Sequence, residues 1–195
     1  MKKNIALITG GYSGEAVISY KSAETIYNNT DKEKWNVYLV DIHPDGWFHK
    51  ADNGEKFPID KNDFSITTAA GKINFDAVLV GLHGTPGEDG KLQGYFDCLG
   101  IPYTSCDAAT SALTFNKRYT VAVAAFAGIK VAKSMHLFKG DGTTALQVKD
   151  QLKLPVFVKP NNGGSSIGMS KVNDVANLDA AIAKAFKEDD QVLVE

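Results

Sequence analysis

Short apolar runs separated by glycine-rich turns and amphipathic segments dominate the first half of the chain. Asn4–Thr9 and Phe75–Leu82 are almost continuously apolar, which is typical of fully buried strands, and Trp35–Ile42 predicts another strand. Apolar residues in 15–29 recur at helical spacing. Because strands alternate with helices, the pattern favours an α/β domain with a parallel sheet over residues 1–105. The other elements predicted here are a short strand after the turn at Pro44, a helix near Leu92–Cys98 and a strand at Ile101–Ser105.

The remaining residues, 106–195, have a different pattern. The stretch 107–129 is rich in alanine and predicts two helices, the second of which ends at Gly128. The two strand candidates around the loop after Lys159 are expected to pair antiparallel, because a short glycine-rich loop joins them. These elements predict an α+β domain with an antiparallel sheet. Its strand candidates are 131–138, 155–159, 168–172 and 191–195, and its further helix candidates are 143–152 and 175–188.

The last residues, QVLVE, have the pattern of a strand in mid-course. Nothing follows to cap this strand or to lead the chain back to the surface. We therefore expect the protein to continue beyond Glu195, so that the second domain is truncated here.

Composition indicates an ordinary soluble globular protein. The 195 residues are 44% hydrophobic and 23% charged, with a formal net charge of −2. This balance argues against a nucleic-acid-binding protein, which carries a basic excess. The apolar part of the amino-terminal run is too short for an export signal or a membrane span, so we expect a cytoplasmic protein without a membrane partner. Cys98 and Cys106 lack metal-type spacing and predict reduced, partly buried thiols.

The first candidate for chemistry is the turn GGYSGE, residues 10–15, between the first strand and the first helix. In open parallel sheets, ligands bind at the carboxyl ends of strands, and Gly10 and Gly11 let the backbone approach a ligand closely. The turn lacks the GxGxxG order of dinucleotide sites. Glu15 has two interpretations. An acid in the first helical turn gains about 0.3–1 kcal/mol from the helix dipole; alternatively, its carboxylate binds an amine-bearing substrate.

The second candidate is the loop HGTPGEDG, residues 83–90, which follows the most hydrophobic strand of the first block. His83 and Glu88 are close enough along the chain to hydrogen-bond and fix the loop. Alternatively, the acidic residue Asp89 simply caps the next helix. Because the loop follows the carboxyl end of a strand, where ligands bind in open sheets, it can also belong to a ligand-binding site.

The third candidate is the loop after Lys159, with the sequence PNNGGSSIG. Gly163–Gly164 allow close backbone approach, Ser165 and Ser166 add hydroxyl groups, and consecutive N–H groups in such a loop can form an anion-binding concavity. A plain surface hairpin is the alternative. The loop lacks the GxxxxGK[ST] order of a Walker-type phosphate loop. Lys117 lies at the start of an alanine-rich helix. Its side chain is either solvated or, together with Lys159, supplies a second positive charge near a polyphosphate.

The histidines outside these loops give no sign of a metal site. His43, His49 and His136 show no ligand-type spacing with one another, and surface or core positions are expected for each. These three histidines therefore predict no metal site.

Taken in order, these stretches resemble the D-alanine–D-alanine ligases, a family of the ATP-grasp superfamily. The likeness spans the whole chain, in the segments GGYSGE…ISYKSA, HGTPGEDGKLQGYFDCLGIPYTS, FNKRYTV, PVFVKPNNGGSSIGMSKV and QVLVE. The second and fourth of these segments are the most specific. The resemblance implies a Rossmann-like domain over 1–105, followed by the first part of an ATP-grasp domain over 106–195.

The resemblance also implies an activity. ATP phosphorylates the carboxylate of one D-alanine, and the amine of a second D-alanine attacks the acylphosphate to give the dipeptide for bacterial peptidoglycan synthesis. The implied ligands are ATP, Mg²⁺ and D-alanine, and the implied assembly is a homodimer through the first domain. By position, Glu15 and Ser165 would be catalytic, with Ser165 orienting Glu15. The implied substrate-binding residues are Glu15, His83 and Glu88, and the implied ATP-binding residues are Lys117, Lys159, Ser165, Ser166 and Glu195.

Two departures from the family pattern leave room for related functions. Ala16 stands where the family usually has a basic or imidazole residue after the first glutamate. The family's magnesium ligands, and an arginine and a tyrosine near its reaction centre, belong to a later segment than Glu195. The sequence is therefore also compatible with a D-alanine–D-lactate or D-alanine–D-serine ligase, or with a non-catalytic binding module.

Overall fold

The computed structural model describes residues 2–143 and 145–195. The chain forms two compact units, residues 1–112 and 113–195, each with its own hydrophobic core. Both units mix helices with strands, and the second sheet is antiparallel, which confirms the predicted fold class. Thr144, within the predicted helix 143–152, lies outside the described residues.

The first unit is built on one mixed sheet. Its described part contains seven strands, in the spatial order β6-β5-β4-β3-β2-β1-β7. The elements in chain order are β1 (Lys3–Gly10), α1 (Ala16–Asn29), β2 (Trp35–His43), β3 (Gly46–Lys50), β4 (Lys56–Asp60), β5 (Ser65–Thr68), β6 (Gly71–Ile73), β7 (Ala77–Val80), α2 (Lys91–Leu99) and α3 (Ala108–Phe115), the last running into the second unit.

The parallel arrangement predicted for this sheet holds at one side of it. β1 pairs in parallel with both β2 and β7, whereas β2 to β6 continue as antiparallel pairs. The antiparallel part follows from tight turns, which join neighbouring strands without a crossover helix. The predicted strand at Ile101–Ser105 is reduced to a single bridge between Tyr103 and Val78.

Side chains of β1 alternate between the two faces of the sheet. Ala6 and Ile8 point into a core that also contains Phe64 and Phe96, all fully buried. Leu7 points to the opposite face, where α1 packs on β1. Because β1 and β7 are parallel neighbours, their carboxyl ends lie at the same edge of the sheet. The two glycine-rich turns that follow these strands therefore start from that edge.

The second unit places helices against a smaller sheet. Its four described strands lie in the order β10-β9-β11-β8, and each neighbouring pair is antiparallel, as the sequence predicted for the hairpin after Lys159. The elements are α4 (Lys117–Phe126), β8 (Met135–Phe138), α5 (Ala145–Gln151), β9 (Val156–Pro160), β10 (Ser170–Val172), a short 3₁₀ helix (Val175–Asn177), α6 (Leu178–Ala185) and β11 (Gln191–Val194). Val158, Leu178 and Val192 are central to its core.

The two cysteines and the lengths of the helices bear on two further expectations from the sequence. Cys98 and Cys106 are both free but exposed, so the prediction of partly buried thiols is wrong. Cys98 lies near the end of α2 on the side away from Phe96, which takes the buried position. Among the described residues, no helix is both long and apolar enough to cross a membrane.

Candidate functional site

Glu15 is a buried carboxylate at the start of α1. Its residue is 3% exposed and occupies the N-cap position, and its backbone N–H donates to Ser13 Oγ over 3.3 Å. The preceding turn requires glycine. Gly10 has φ +85°, and a Cβ atom there would lie 2.3 Å from Asp41 Oδ1. The turn thereby directs the chain from β1 into α1 and leaves Glu15 at the sheet edge.

His83 is fixed by two serines of α1. Its Nε2 atom lies 2.8 Å from Ser22 Oγ, and its backbone N–H donates to Ser19 Oγ over 2.8 Å. Ser19 is fully buried and also donates to the Glu15 carbonyl oxygen over 3.3 Å. Ser19 therefore connects the histidine loop to the first turn of α1.

Glu88 folds back on its own loop. Its Oε2 atom accepts the Gly84 N–H over 2.7 Å. The sequence left open a hydrogen bond between His83 and Glu88; in the structure His83 Nε2 pairs with Ser22 and Glu88 Oε2 with the Gly84 N–H instead. Asp89 accepts from Thr85 Oγ1 over 2.5 Å and lies 3.4 Å from the Lys91 N–H, while Gly90 is the N-cap of α2.

Gly84 joins the two loops of this unit. It has φ +75°, and a Cβ atom there would lie 2.5 Å from Ser13 Oγ and 2.9 Å from Glu15 Oε1. The structure therefore brings Glu15, His83 and Glu88 together around one glycine. This arrangement can hold a small ligand against a carboxylate and backbone groups.

We expect Gly84→Ala to destabilise the first unit more than Gly100→Ala does. Both glycines have positive φ, but a Cβ atom at Gly100 would meet open space among the described residues. Both variants carry the strain of an L-residue at positive φ, which costs about 1 kcal/mol. The strain therefore cancels when the two losses of unfolding free energy are compared. We expect the remaining difference, about 1–3 kcal/mol, to come from the close contact at Gly84. Urea unfolding of both variants measures it; equal losses would contradict the close approach to Glu15.

In the second unit, Lys159 and Glu195 form an ion pair. Lys159 Nζ lies 2.6 Å from Glu195 Oε1, and the two side chains are 22% and 24% exposed. The backbone groups of Glu195 pair with those of Phe157 on β9. Both charged side chains therefore stand on one face of the sheet, beside the loop of residues 160–168, called here the glycine-serine loop.

Lys117 approaches the same loop from the first turn of α4. Its Nζ atom donates to the Gly163 carbonyl oxygen over 2.5 Å and to that of Asn161 over 3.3 Å. Asn116 caps α4 by accepting the Tyr119 N–H. The helix start is thus positioned so that one lysine faces the loop.

Ser165 and Ser166 occupy the left-handed region, with φ of 51° and 58°. The Ile167 N–H donates to the Gly164 carbonyl oxygen over 3.1 Å, which closes the turn around them. Non-glycine residues in this region are strained, and such strain concentrates at ligand-binding loops. The loop, together with Lys117 and Lys159, lines a cavity of about 210 Å³. Two cations and a turn of backbone amides suit this cavity to a phosphate-bearing ligand.

Asn161 is a component of this site that the sequence did not reveal. It is fully buried, and its Oδ1 atom accepts the Arg118 N–H over 2.8 Å, while its Nδ2 atom has no hydrogen-bond partner in the described part of the chain. It ties the end of β9 to the start of α4. No local sequence signal could have indicated this contact, because Arg118 lies 43 positions away along the chain.

Comparison with known proteins gives matches along nearly the whole chain. Residues 4–106 match the family profile described as the D-ala D-ala ligase N-terminus, and residues 116–195 match the one described as the D-ala D-ala ligase C-terminus. The chain belongs to the D-alanine–D-alanine ligase family. This confirms the resemblance found in the sequence.

Members of the D-alanine–D-alanine ligase family with curated names are longer than this chain. A D-alanine–D-alanine ligase of Parabacteroides distasonis is 51% identical over all 195 residues, which cover 59% of its length. The VanG D-Ala:D-Ser ligase from Enterococcus faecalis has a TM-score of 0.80 at 33% identity; the match covers 100% of this chain and 62% of that one. A Bacillus anthracis D-alanine–D-alanine ligase complexed with ATP has a TM-score of 0.72 at 26% identity, covering 99% and 58%.

This family member shows no metal cluster in its described residues. No three histidine, cysteine, aspartate or glutamate side chains there come together in a way that could hold an ion. Lys117 and Lys159 are the lysines that line the cavity together with the glycine-serine loop. The groups present therefore fit a phosphate better than they fit a divalent cation.

His136 makes the unfolding free energy of the second unit of this ligase-family chain depend on pH. Burial, and then the positive charge of Arg118, lower the pKa of His136 from its ordinary value of 6.5. The unfolded chain consequently binds a proton here at a higher pH than the folded chain does. The stability contribution is present above pH 6.5 and is lost as the pH falls through and below that value.

We expect His136→Gln to reduce the loss of unfolding free energy between pH 7.5 and pH 5.5. Chemical denaturation of the chain at a series of pH values measures the slope, and His43→Gln, at an exposed position, controls for the loss of a histidine. An unchanged slope in His136→Gln would mean that other groups carry the acid sensitivity.

Proposed function

We propose that this chain supplies the substrate-binding unit and part of the ATP-binding unit of an enzyme that joins two D-alanines. The reaction consumes ATP and passes through an acylphosphate. The observation that carries the proposal is the cavity lined by Lys117, Lys159 and the glycine-serine loop, in a chain that matches the ligase family over almost its full length.

ATP is proposed to place its phosphates in this cavity. The ammonium groups of Lys117 and Lys159 would neutralise the phosphate oxygens, and the backbone and hydroxyl groups of Ser165 and Ser166 would cover them. Glu195 would lie by the adenine or ribose. The Bacillus anthracis relative crystallised with ATP supports the nucleotide as the ligand of this fold.

The first D-alanine is proposed to bind in the first unit. The Glu15 carboxylate would accept hydrogen bonds from its ammonium group, since a buried carboxylate forms strong charge-assisted bonds. His83 and Glu88 would shape the pocket by holding the loop around Gly84. The role that the resemblance gives to Ser165, orienting Glu15, remains a prediction.

The proposed reaction balances in two steps. A carboxylate oxygen of the first D-alanine attacks the γ-phosphorus of ATP, and the bond to the ADP oxygen breaks. The amine of the second D-alanine then attacks the acyl carbon, loses a proton, and expels inorganic phosphate. The chain's own contribution is positioning and charge neutralisation, together with exclusion of water that would hydrolyse the acylphosphate.

Mg²⁺ is expected to enter with ATP, because magnesium in phosphoryl-transfer sites is held by carboxylates together with substrate phosphates. The described residues offer it no ligand cluster, so the proposal assigns no step to the metal. We also propose a cytoplasmic location, a role in peptidoglycan synthesis and a homodimer through the first unit. These follow from family membership.

A second candidate is the ligation of D-alanine to D-serine. The structural similarity to the Enterococcus faecalis D-Ala:D-Ser ligase favours it, at 33% identity. Ligation of D-alanine to D-lactate, or ligand binding without catalysis, has no comparable support among these relatives. The curated relatives with the higher identities are D-alanine–D-alanine ligases, which supports D-alanine as the first choice.

The proposal is tested by incubating the whole protein with ATP, Mg²⁺ and D-alanine, and measuring ADP and dipeptide together. Equal amounts of ADP and D-alanyl-D-alanine are expected, with L-alanine inactive. Parallel reactions with D-serine or D-lactate as the second substrate reveal either of those activities by the mass of the product. ADP release without any ligated product would contradict the function.

A further inference from the structure

We propose a second ligand site in the first unit, a cavity of about 240 Å³ between α1 and the neighbouring strands of the sheet, which takes a small organic monoanion. It is lined by residues of β1 to β4 and by Tyr20 of α1. None of these residues has a role in the ligation proposed above. The assignment does not depend on that function.

Strand pairing places the lining side chains on one face of the sheet. Thr9 is opposite Asp41, Asp41 is opposite Phe48, and Lys50 is opposite Lys56. Side chains directly opposite each other in neighbouring strands project from the same face. The cavity therefore has a continuous floor of side chains, with Leu39 and Phe48 as its apolar part.

Two exposed lysines lie directly opposite each other in neighbouring strands at this cavity. Lys50 and Lys56 are cross-strand partners, and like charges in this arrangement repel. The Lys56 ammonium lies 5.8 Å from the Phe48 ring centroid, at the cavity. An anion held between the two ammonium groups would remove the repulsion.

A buried hydroxyl points to a ligand independently of the lysines. Thr9 is 1% exposed and lines the cavity, and its Oγ1 atom has no hydrogen-bond partner among the described residues. Leaving a buried polar atom unpaired is unfavourable, and such atoms in a folded protein commonly meet a water or ligand. A polar group of the bound ligand would satisfy this hydroxyl.

The charges of the cavity indicate the class of ligand. Lys50 and Lys56 contribute two positive charges, and Asp41 contributes one negative charge. The Asp41 carboxylate already accepts from the Tyr20 hydroxyl, at 3.0 and 3.3 Å. Burial, followed by the charge of Asp41, raises the pKa of Tyr20, so that hydroxyl remains a donor at neutral pH. One excess positive charge beside an apolar floor fits a short-chain carboxylate better than an inorganic polyanion.

The test is a titration of the chain with butanoate, followed by amide chemical shifts in NMR spectra. Butanamide has the same shape without the charge, and inorganic phosphate has charge without the apolar part. We expect butanoate to shift amides of β1 to β4, with weaker effects of the other two. Butanoate without effect, or phosphate or butanamide binding as tightly as butanoate, would overturn the proposal.

Variants locate the binding. Replacing both Lys50 and Lys56 with glutamine is expected to weaken butanoate binding at least about tenfold. Lys61→Gln, a change at a lysine that stacks on Trp47 outside the cavity, is the matched control and should leave affinity within about twofold. Equal affinity in the double variant and the control would overturn the site.

Thr9→Val separates ligand binding from folding. Valine has the shape of threonine without the hydroxyl, so removing an unpaired buried group is expected to leave the thermal midpoint unchanged or higher. The same variant should bind butanoate more weakly. Undiminished affinity in a folded Thr9→Val chain would overturn the assignment of the hydroxyl and of the site with it.

Discussion

Replacing Lys159 with alanine is expected to lower kcat/KM for ATP at least about tenfold in the whole protein. The Lys159 side chain lines the cavity beside the glycine-serine loop, is 22% exposed, and contacts Glu195. Removing it would take away a charge-assisted contact in a site that we propose to work by neutralising phosphate. Steady-state kinetics with varied ATP at saturating D-alanine measure the effect.

The matched control for Lys159 is Lys171→Ala, which removes an exposed lysine from the neighbouring strand β10. Loss of the Lys159–Glu195 pair alone should cost about 1 kcal/mol of stability or less, since both side chains are partly exposed. Thermal unfolding of each variant checks this. A folded Lys159→Ala enzyme with unchanged kinetics would remove Lys159 from the ATP site.

Replacing Glu15 with glutamine is expected to lower kcat/KM for D-alanine by roughly ten- to a hundredfold, with little change in ATP affinity. A hydrogen bond to a charged group contributes about 1.5–3 kcal/mol, and glutamine keeps the shape while losing the charge. Glu15 is buried beside Gly84, where a substrate ammonium would meet it away from bulk water.

Glu24→Gln is the control for Glu15, because it removes a carboxylate from an exposed position on the same helix. If Glu15 served only the helix dipole, Glu15→Gln would lower stability by about 0.3–1 kcal/mol and leave D-alanine kinetics intact. Kinetics and unfolding measured on both variants therefore distinguish the structural role from the substrate-binding role.

Much of the central fold could be predicted because its signals are local. β1 is an apolar run ended by two glycines, and α1 follows it with helical spacing. β4, β5 and β6 were missed because they are short and rich in lysine, threonine and serine, and because Pro58 interrupts β4. Their place in the sheet depends on the pairing of β4 with β3, of β5 with β4 and of β6 with β5, which a local pattern does not encode.

Some residues of the candidate sites could be predicted from the sequence and others could not. Lys159 and the glycine-serine loop stand out because their residue types are unusual next to each other. The contacts of His83 could not be predicted, since Ser19 and Ser22 lie more than 60 positions away along the chain. Asn161 was missed for a similar reason, because its partner on α4 is 43 positions away.

The most direct test of the central claim follows an oxygen atom. The whole protein would be given ATP, Mg²⁺ and D-alanine labelled with ¹⁸O in its carboxylate, and the inorganic phosphate would be analysed by mass spectrometry. If the carboxylate attacks the γ-phosphorus, each phosphate released with the dipeptide carries one labelled oxygen. Unlabelled phosphate, or AMP formed in place of ADP, would contradict activation through an acylphosphate.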